Sequence, residues 1–264
     1  MAEPVRVVLS GATGRMGTQL ARMIGEEDGM ALAGGIGRIP ERGCDIGCPV
    51  VATPETAGEW IRHADVVIDF SSPELLARLL EMHGDVLAGV ALVIGTTGLD
   101  EDDQRRIDAQ ARRSPVLQAA NFSVGVNVLL ALAQKAAAAL GTEYDVEIVE
   151  AHHRRKVDAP SGTALALGES VAAGRGVALA DVRVDGRSGR PGERPVGEVG
   201  FHSVRGGDIV GEHEVMFIGE RERVTLGHVA QDRALFAEGA LRAAKWLAGR
   251  APGAYSMRDV LGLG

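Results

Sequence analysis

The sequence predicts an α/β chain: a doubly wound parallel sheet first, then an α+β domain built on a mixed sheet. Three observations predict it. Short β-branched runs with no polar alternation, such as Val66-Val67-Ile68, alternate with amphipathic helical segments as far as Phe122, as expected of strands buried on both faces. A glycine-spaced turn joins the first such run to the first helix. Beyond Phe122 the pattern becomes a long Ala/Leu helix and then a strand-rich stretch broken by Gly- and Pro-bearing turns, which fits a mixed sheet.

The elements follow in order. Val5 to Leu9 is a compact strand, and Arg15 to Gly25 a helix with Met16, Leu20 and Met23/Ile24 on one face. Met30 to Ile36 and Ala64 to Phe70 are further strands. Ser71-Ser72-Pro73-Glu74 opens a helix, with a serine cap and proline in the first turn. Val90 to Ile94 and Val116 to Ala120 are strands flanking a helix over Asp100 to Arg113, whose acids lead and arginines trail, as the macrodipole favours. In the second part, Val126 to Leu140 is helical, Asp145 to Ala151 a strand, and Ser161 caps a helix through about Val171. Strands are expected at Val182-Asp185, Val199-Val204, Glu214-Ile218 and Val224-Val229, and a last helix at Ala234 to Leu247. The expected domains are therefore residues 1–122, with the C-terminal helix of 234–264 packed back on them, and residues 123–233. The Gly186–Gly197 segment, GRSGRPGERPVG, reads either as a solvated loop or as a mobile loop over a site.

Composition narrows the function. With 45% hydrophobic residues in 264, a sizeable core is expected and disorder is not. A formal charge of -8 argues against a nucleic-acid partner, which needs a basic footprint. The start, Met-Ala-Glu-Pro, has no basic region followed by an apolar one, and no uninterrupted apolar run approaches the roughly 20 residues of a membrane span. A cytoplasmic protein without a membrane partner is expected. Cys44 and Cys48, a C-x3-C pair without a second pair, read as free thiols rather than as a disulfide or a zinc site.

Gly11-Ala12-Thr13-Gly14-Arg15-Met16-Gly17 lies between the first strand and first helix. Glycines there permit a tight turn, close approach of a pyrophosphate, and close helix–strand packing, and the helix start offers free N–H groups to phosphate. The spacing G-x-x-G-x-x-G, in that setting, predicts a Rossmann-like dinucleotide site. The second strand ends in Gly37-Arg38 with no acid, so a 2′-phosphate meets Arg38 instead of a repelling carboxylate. NADPH is expected over NADH, which is not excluded. Gly95-Thr96-Thr97 and Ala119-Ala120-Asn121-Phe122 end later strands and face the same crevice.

The richest chemistry lies in Glu150-Ala151-His152-His153-Arg154-Arg155-Lys156-Val157-Asp158-Ala159-Pro160-Ser161-Gly162-Thr163. Five consecutive potentially cationic residues precede a helix start in an acidic chain, which makes a site for a dicarboxylate or phosphate. A solvated basic loop is the plainer reading. A metal site lacks a Cys, Asp or Glu at ligand spacing beside the histidines. A histidine that can transfer a proton, a lysine, and a Ser-Gly-Thr helix start together favour a reaction site.

EAHHRRKVDAPSGTA, with GATGRMG before it, GTTG and AANFSVGVN between, GDIVGEH at Gly207–His213 and the closing Met257-Arg258-Asp259-Val260-Leu261, resembles the 4-hydroxy-tetrahydrodipicolinate reductase (dihydrodipicolinate reductase) family of the diaminopimelate–lysine pathway, almost end to end. The resemblance implies an NAD(P)H-dependent reductase. Gly11, Ala12, Thr13, Gly14, Arg15 and Met16 would cradle the pyrophosphate, and Arg38 would meet the 2′-phosphate. Gly95, Thr96, Thr97, Ala119, Ala120, Asn121 and Phe122 would line the nicotinamide side. His152 would be the proton donor and Lys156 a second acid beside it. His153, Gly162 and Thr163 would bind the dicarboxylate substrate, with Arg233 at its other carboxylate. The reaction would position two reactants across an interdomain cleft. Many relatives carry an acid where this chain has Gly37, so the adenosine-ribose contact differs here. A homotetramer assembled through the second domain is implied as well.

The chain lacks the residues that two other enzyme classes need. A short-chain dehydrogenase needs Tyr-x-x-x-Lys, but Ile148 and Asp259 stand four beyond Tyr144 and Tyr255. An aldehyde-type dehydrogenase needs a later cysteine than Cys44 or Cys48. The His152/Lys156 cluster argues against a redox sensor that binds NADPH without turnover, and His152→Ala discriminates it.

Overall fold

The computed structural model describes residues 3–38 and 51–263, so Cys44 and Cys48 lie outside the described residues. The chain divides into two compact units. One comprises the residues up to Phe122 together with Ala234–Gly262, and the other Ser123–Arg233.

The first unit runs β1 (Val5–Ser10), α1 (Arg15–Glu26), β2 (Met30–Ile36), β3 (Val51–Ala52), α2 (Gly58–Ile61), β4 (Val66–Asp69), α3 (Pro73–His83), β5 (Ala91–Ile94), α4 (Glu101–Ala111) and β6 (Pro115–Gln118). The strands form a seven-stranded sheet, with its last strand supplied from the C-terminus: β12 (Gly253–Tyr255) pairs in parallel with β6. That strand carries no sequence signal, being three residues long beside a proline. The order β12-β6-β5-β4-β1-β2-β3 is parallel throughout. The chain leaves β1 to one side and returns through β4 on the other, so the carboxyl ends of β1 and β4 form the topological switch point.

Both sheet faces are covered, which explains the unbroken apolar runs. Val7, Leu9, Val66, Ile68 and Val93 point into one core, shared with Leu20 and Ile24 of α1 and with Ala240, Ala244 and Leu247 of α8 (Ala234–Leu247). Val8, Val67, Leu92 and Ile94 point into the other, against Leu76 and Leu79 of α3 and Ile107 of α4. Met257 and Val260 of α9 (Met257–Leu261) close the first core. Lys245 reaches Glu27, tying α8 to the end of α1.

Helix starts follow the sequence closely. Ser72 accepts from the Leu75 N–H at 3.3 Å with Pro73 in the first turn, and Asp100 and Asp103 form a reciprocal capping box. The helix ends differ from expectation. α4 stops at Ala111, so Arg112 is its C-cap and Arg113 lies beyond, paired with Asp85 at 2.8 Å.

The second unit holds α5 (Val124–Leu140), β7 (Asp145–His152), α6 (Gly162–Arg175), α7 (Leu179–Val182), β8 (Arg183–Asp185), β9 (Val199–Arg205), β10 (Gly211–Ile218) and β11 (Arg223–Ala230). Its sheet has the order β11-β10-β7-β9-β8, antiparallel across β11, β10 and β7 and parallel across β7, β9 and β8. α5 and α6 cover one face, and Val146, Ile148, Phe201, Val215 and Phe217 meet Leu129, Leu167 and Val171 there. α5 belongs to a segment, Val124–Glu143, with the length and mean hydropathy (1.5) of a membrane span. Here Leu129, Ala133 and Ala137 of that helix pack into this core.

Several boundaries move, three of them with consequences for the core or the site. α6 runs on past Val171 to Arg175, because Ala172 and Ala173 continue the helix until Gly176 turns left-handed at φ 70°. Val182 ends a helical turn instead of opening a strand. β10 begins at Gly211, three residues before Glu214, and so includes His213. The Gly186–Gly197 segment is tied down by its arginines: Arg187 binds Glu147 at 2.9 Å and Glu198 at 3.1 Å. Arg194 binds Asp145 at 2.6 Å and Glu147 at 3.0 Å.

Candidate active site

Two sites emerge, one in each unit. In the first, the β1–α1 turn is anchored to the neighbouring strand, since the Gly11 and Ala12 N–H groups donate to the Ile36 carbonyl at 2.9 and 3.2 Å. Gly11 sits at φ 77°, where a Cβ would stand 2.5 Å from the Phe70 carbonyl oxygen. A Cβ at Gly17 would overlap the Gly11 carbonyl oxygen. Both glycines are therefore required by close approach of backbone to backbone. The start of α1 differs from those of α3, α4, α5 and α6, which Ser72, Asp100, Ser123 and Ser161 cap. At α1 the N-cap is Gly14, with no capping side chain and no acid in the first turn. Its leading N–H groups and positive dipole end are left for an anion. Arg38 follows the end of β2 and is exposed.

Behind this turn lies a buried carboxyl. Asp69 ends β4 and is 1% exposed. It accepts from the Ser71 hydroxyl at 2.6 Å and the Thr96 hydroxyl at 2.5 Å, while Thr96 accepts from the Ser71 N–H at 2.9 Å. Burial pushes the Asp69 carboxyl up. The Thr96 hydroxyl is thus spent inside the protein, whereas Thr97 is exposed. Phe122 is buried, its ring 5.3 Å from that of Phe70.

The second site is built on the end of β7. Alternation puts Glu150 and His152 on the same side. Register sets Glu150 opposite His213 of β10, and His152 opposite Arg205 of β9. Glu150 is 1% exposed and is met from three elements. His152 Nδ1 lies 2.5 Å from its Oε2. Arg205 donates to both oxygens, at 2.8 and 2.6 Å, and the Ser161 N–H donates at 3.2 Å. Burial works to raise the Glu150 carboxyl. The Arg205 guanidinium, with hydrogen bonds from Ser203 and His152, outweighs it and holds the group down at about 2.

His213 closes the cluster. Its Nε2 lies 3.0 Å from the Ser161 hydroxyl, and its ring stands edge-on to His152 with centroids 5.1 Å apart. Burial, and then the neighbouring His152, push His213 down to about 4. Burial also lowers His152, and Glu150 opposes the shift. Ser161 does two tasks, since its hydroxyl also caps α6 by accepting from the Ala164 N–H at 3.2 Å. Gly162 and Thr163 form the first turn of that helix. His153 Nε2 lies 3.2 Å from an Arg233 nitrogen. Lys156 pairs with Asp158 at 2.9 Å, and Arg155 with Asp208 at 3.0 Å.

Both halves of the chain match the models of one family. Residues 5–122 match the N-terminal model of dihydrodipicolinate reductase and residues 125–261 its C-terminal model. The chain belongs to the dihydrodipicolinate reductase family. A 4-hydroxy-tetrahydrodipicolinate reductase from Parvibaculum lavamentivorans is 48% identical over 272 residues, covering 100% of both chains. One from Thiobacillus denitrificans is 50% identical over 266 residues, covering 98% of this chain and 99% of its own. Among solved structures, a dipicolinate-bound dihydrodipicolinate reductase from Paenisporosarcina sp. TG-14 shares the fold at TM-score 0.77 and 24% identity, covering 97% of this chain and 98% of that one.

Set on this reductase fold, the residues singled out in the sequence fall into two groups. Gly11 to Met16, Arg38, Gly95 to Thr97 and Ala119 to Phe122 follow the carboxyl ends of β1, β2, β5 and β6. His152, His153, Lys156, Gly162, Thr163 and Arg233 belong to the second unit. Glu150, two residues before His152, shares its face and its hydrogen bond. Glu150, Arg205 and His213 were missed as site residues. The period of two in β7 pointed to Glu150, whereas Arg205 and His213 arrive through strand register that no local pattern reveals.

Proposed function

We propose that the protein reduces 4-hydroxy-tetrahydrodipicolinate to tetrahydrodipicolinate with a reduced nicotinamide dinucleotide, NADPH in preference to NADH, and releases water. The observation that carries this reading is the second site of a family reductase: a histidine held on a buried carboxylate, beside a capped helix start and the cations Lys156 and Arg233. That combination suits a small dicarboxylate whose ring must accept one proton.

The first unit fits a dinucleotide. Its α1 start has neither capping side chain nor first-turn acid, and its turn is held open by Gly11 and Gly17. Gly11, Ala12, Thr13, Gly14, Arg15 and Met16 would hold the pyrophosphate on backbone N–H groups. Exposed Arg38, with no acid at Gly37, would take a 2′-phosphate. Gly95, Thr96, Thr97, Ala119, Ala120, Asn121 and Phe122 would line the nicotinamide side. When bound, the cofactor supplies hydride.

The chain's own groups supply the rest. His152 holds the proton that reaches the substrate ring carbon, with Lys156 as a second acid group. The Gly162 and Thr163 turn, ordered by the Ser161 cap, receives one carboxylate through its leading N–H groups. His153 and Arg233 receive the other. These cations offset the negative charge that grows on the ring as hydride arrives. A homotetramer is proposed through the face of the second sheet opposite α5 and α6, which exposes Val204 and Val229 at 49% and 62%.

The test is oxidation of reduced nicotinamide, with substrate made in place by the synthase that condenses pyruvate with aspartate semialdehyde. Turnover with NADPH faster than with NADH is expected. Equal use of both would remove the Arg38 argument and leave the reductase. Folded protein that binds nucleotide but turns over neither would overturn the reading.

A further inference from the structure

We infer that Glu150, clamped by Arg205, is the positioning residue for His152: it fixes the tautomer of the ring, presents Nε2 as the proton-exchanging atom, and ties that ring to the start of α6. This rests on the reading of His152 as the acid of the reduction.

The geometry leaves Glu150 little freedom. Oε1 accepts from the Ser161 N–H at 3.2 Å and from Arg205 Nη2 at 2.6 Å. Oε2 faces His152 Nδ1 at 2.5 Å and accepts from Arg205 Nη1 at 2.8 Å. An ionised carboxylate only accepts. The hydrogen therefore sits on His152 Nδ1, and Nε2 is the nitrogen that gains and loses a proton.

Arg205 adds two effects. It keeps Glu150 ionised inside the protein, so the carboxylate does not take the proton it is meant to orient. It also donates to the Asp158 carbonyl at 2.7 Å, in the loop that leads to Ser161. One guanidinium thereby joins the proton donor, its carboxylate and the entry to the helix start. The placement is built into the sheet, because Arg205 stands opposite His152 across β7 and β9.

The charged and titratable groups facing His152 come from every side. They are Glu150 on its own strand, Arg205 on β9, His213 on β10, and Lys156 in the following loop. His228 on β11 stands behind His213. Of these, Glu150 alone is negative, so its loss must lower the affinity of His152 for a proton.

The test uses the full chain, with histidine 15N spectra across pH and steady-state kinetics of wild type and Glu150→Gln. In wild type, His152 should keep Nδ1 protonated on both sides of its titration while Nε2 changes state. Glu150→Gln should lower kcat roughly tenfold or more and move the His152 limb of the kcat–pH profile to lower pH by about half a unit or more. Its NADPH affinity, read at the other unit, should stay at the wild-type value and report that the variant is folded. A folded Glu150→Gln enzyme with the wild-type pH profile would overturn the inference. So would a wild-type His152 spectrum with hydrogen on Nε2 and none on Nδ1 in the neutral form, a result that needs no variant to fold. Failure of the functional reading looks different: wild type would show no turnover while its His152 tautomer remained as described.

Discussion

On the proposed reading the two units hold negatively charged guests, and they would do so with opposite materials. The α1 start of the first unit uses backbone: uncapped N–H groups, a helix dipole, and glycines where a Cβ would overlap the chain. The α6 start of the second is capped by Ser161, and the site around it is made of charged side chains. A backbone site has no group to titrate. The side-chain site concentrates Glu150, His152 and His213, all displaced from their ordinary ionisation. A dinucleotide needs only to be held, whereas a substrate that takes up a proton needs neighbours whose protonation can be tuned.

That contrast can be broken most directly at His152. His152→Gln should lower kcat by roughly 10²- to 10⁴-fold and leave NADPH affinity unchanged. Parallel loss of NADPH affinity would mean that the two sites are not separable as described.

A smaller effect is expected in acid stability, and it should come from the second unit. His213 titrates at about 4 in the folded chain against 6.5 unfolded. As pH falls from 6.5 to 4, the unfolded chain takes up a proton that the native state refuses. Stability therefore falls across that window, by roughly 3 kcal/mol at most. Glu150, at about 2 against 4.5 unfolded, then withdraws its own contribution as pH falls below 4.5. Chemical unfolding as a function of pH should show a shallower slope between pH 6.5 and 4 in His213→Gln than in wild type. Equal slopes would remove His213 as the source.

The smallest effect should appear at the first site. Gly37→Asp would place a carboxylate beside Arg38, where it repels a 2′-phosphate and accepts from a ribose hydroxyl. The ratio of NADPH to NADH efficiency should drop about tenfold, or about 1.4 kcal/mol. An unchanged ratio would show that Arg38 does not meet the phosphate.

The backbone site was the more legible of the two in the sequence. Its signals are local: a glycine spacing, a strand before it, a helix after it, all within Val5–Glu26. The strands of the first sheet were equally plain, because helices on both faces leave unbroken apolar runs such as Val66-Val67-Ile68. β12 was not, since three residues beside a proline become a strand only by pairing with β6. In the second unit the sequence exposed the histidines, the lysine and the serine cap, which sit together in one segment. It hid the partners that fix them. Arg205 lies 53 residues beyond His152 and His213 lies 52 beyond Ser161, and only register across three strands brings them to Glu150. The Gly186–Gly197 segment reads in the sequence either as a solvated loop or as a loop over a site, and Glu147, the acid of β7 that holds Arg187 and Arg194, lies some forty residues earlier in the chain.

The division of labour is tested most directly by backbone amide shifts as NADPH and pyridine-2,6-dicarboxylate are titrated separately into the protein. NADPH should move the amides of Gly11 to Met16, and the dicarboxylate those of His152, His153, Gly162 and Thr163. A dicarboxylate that moved the glycine turn and left the second set still, or NADPH that did the reverse, would contradict the assignment of one guest to each site.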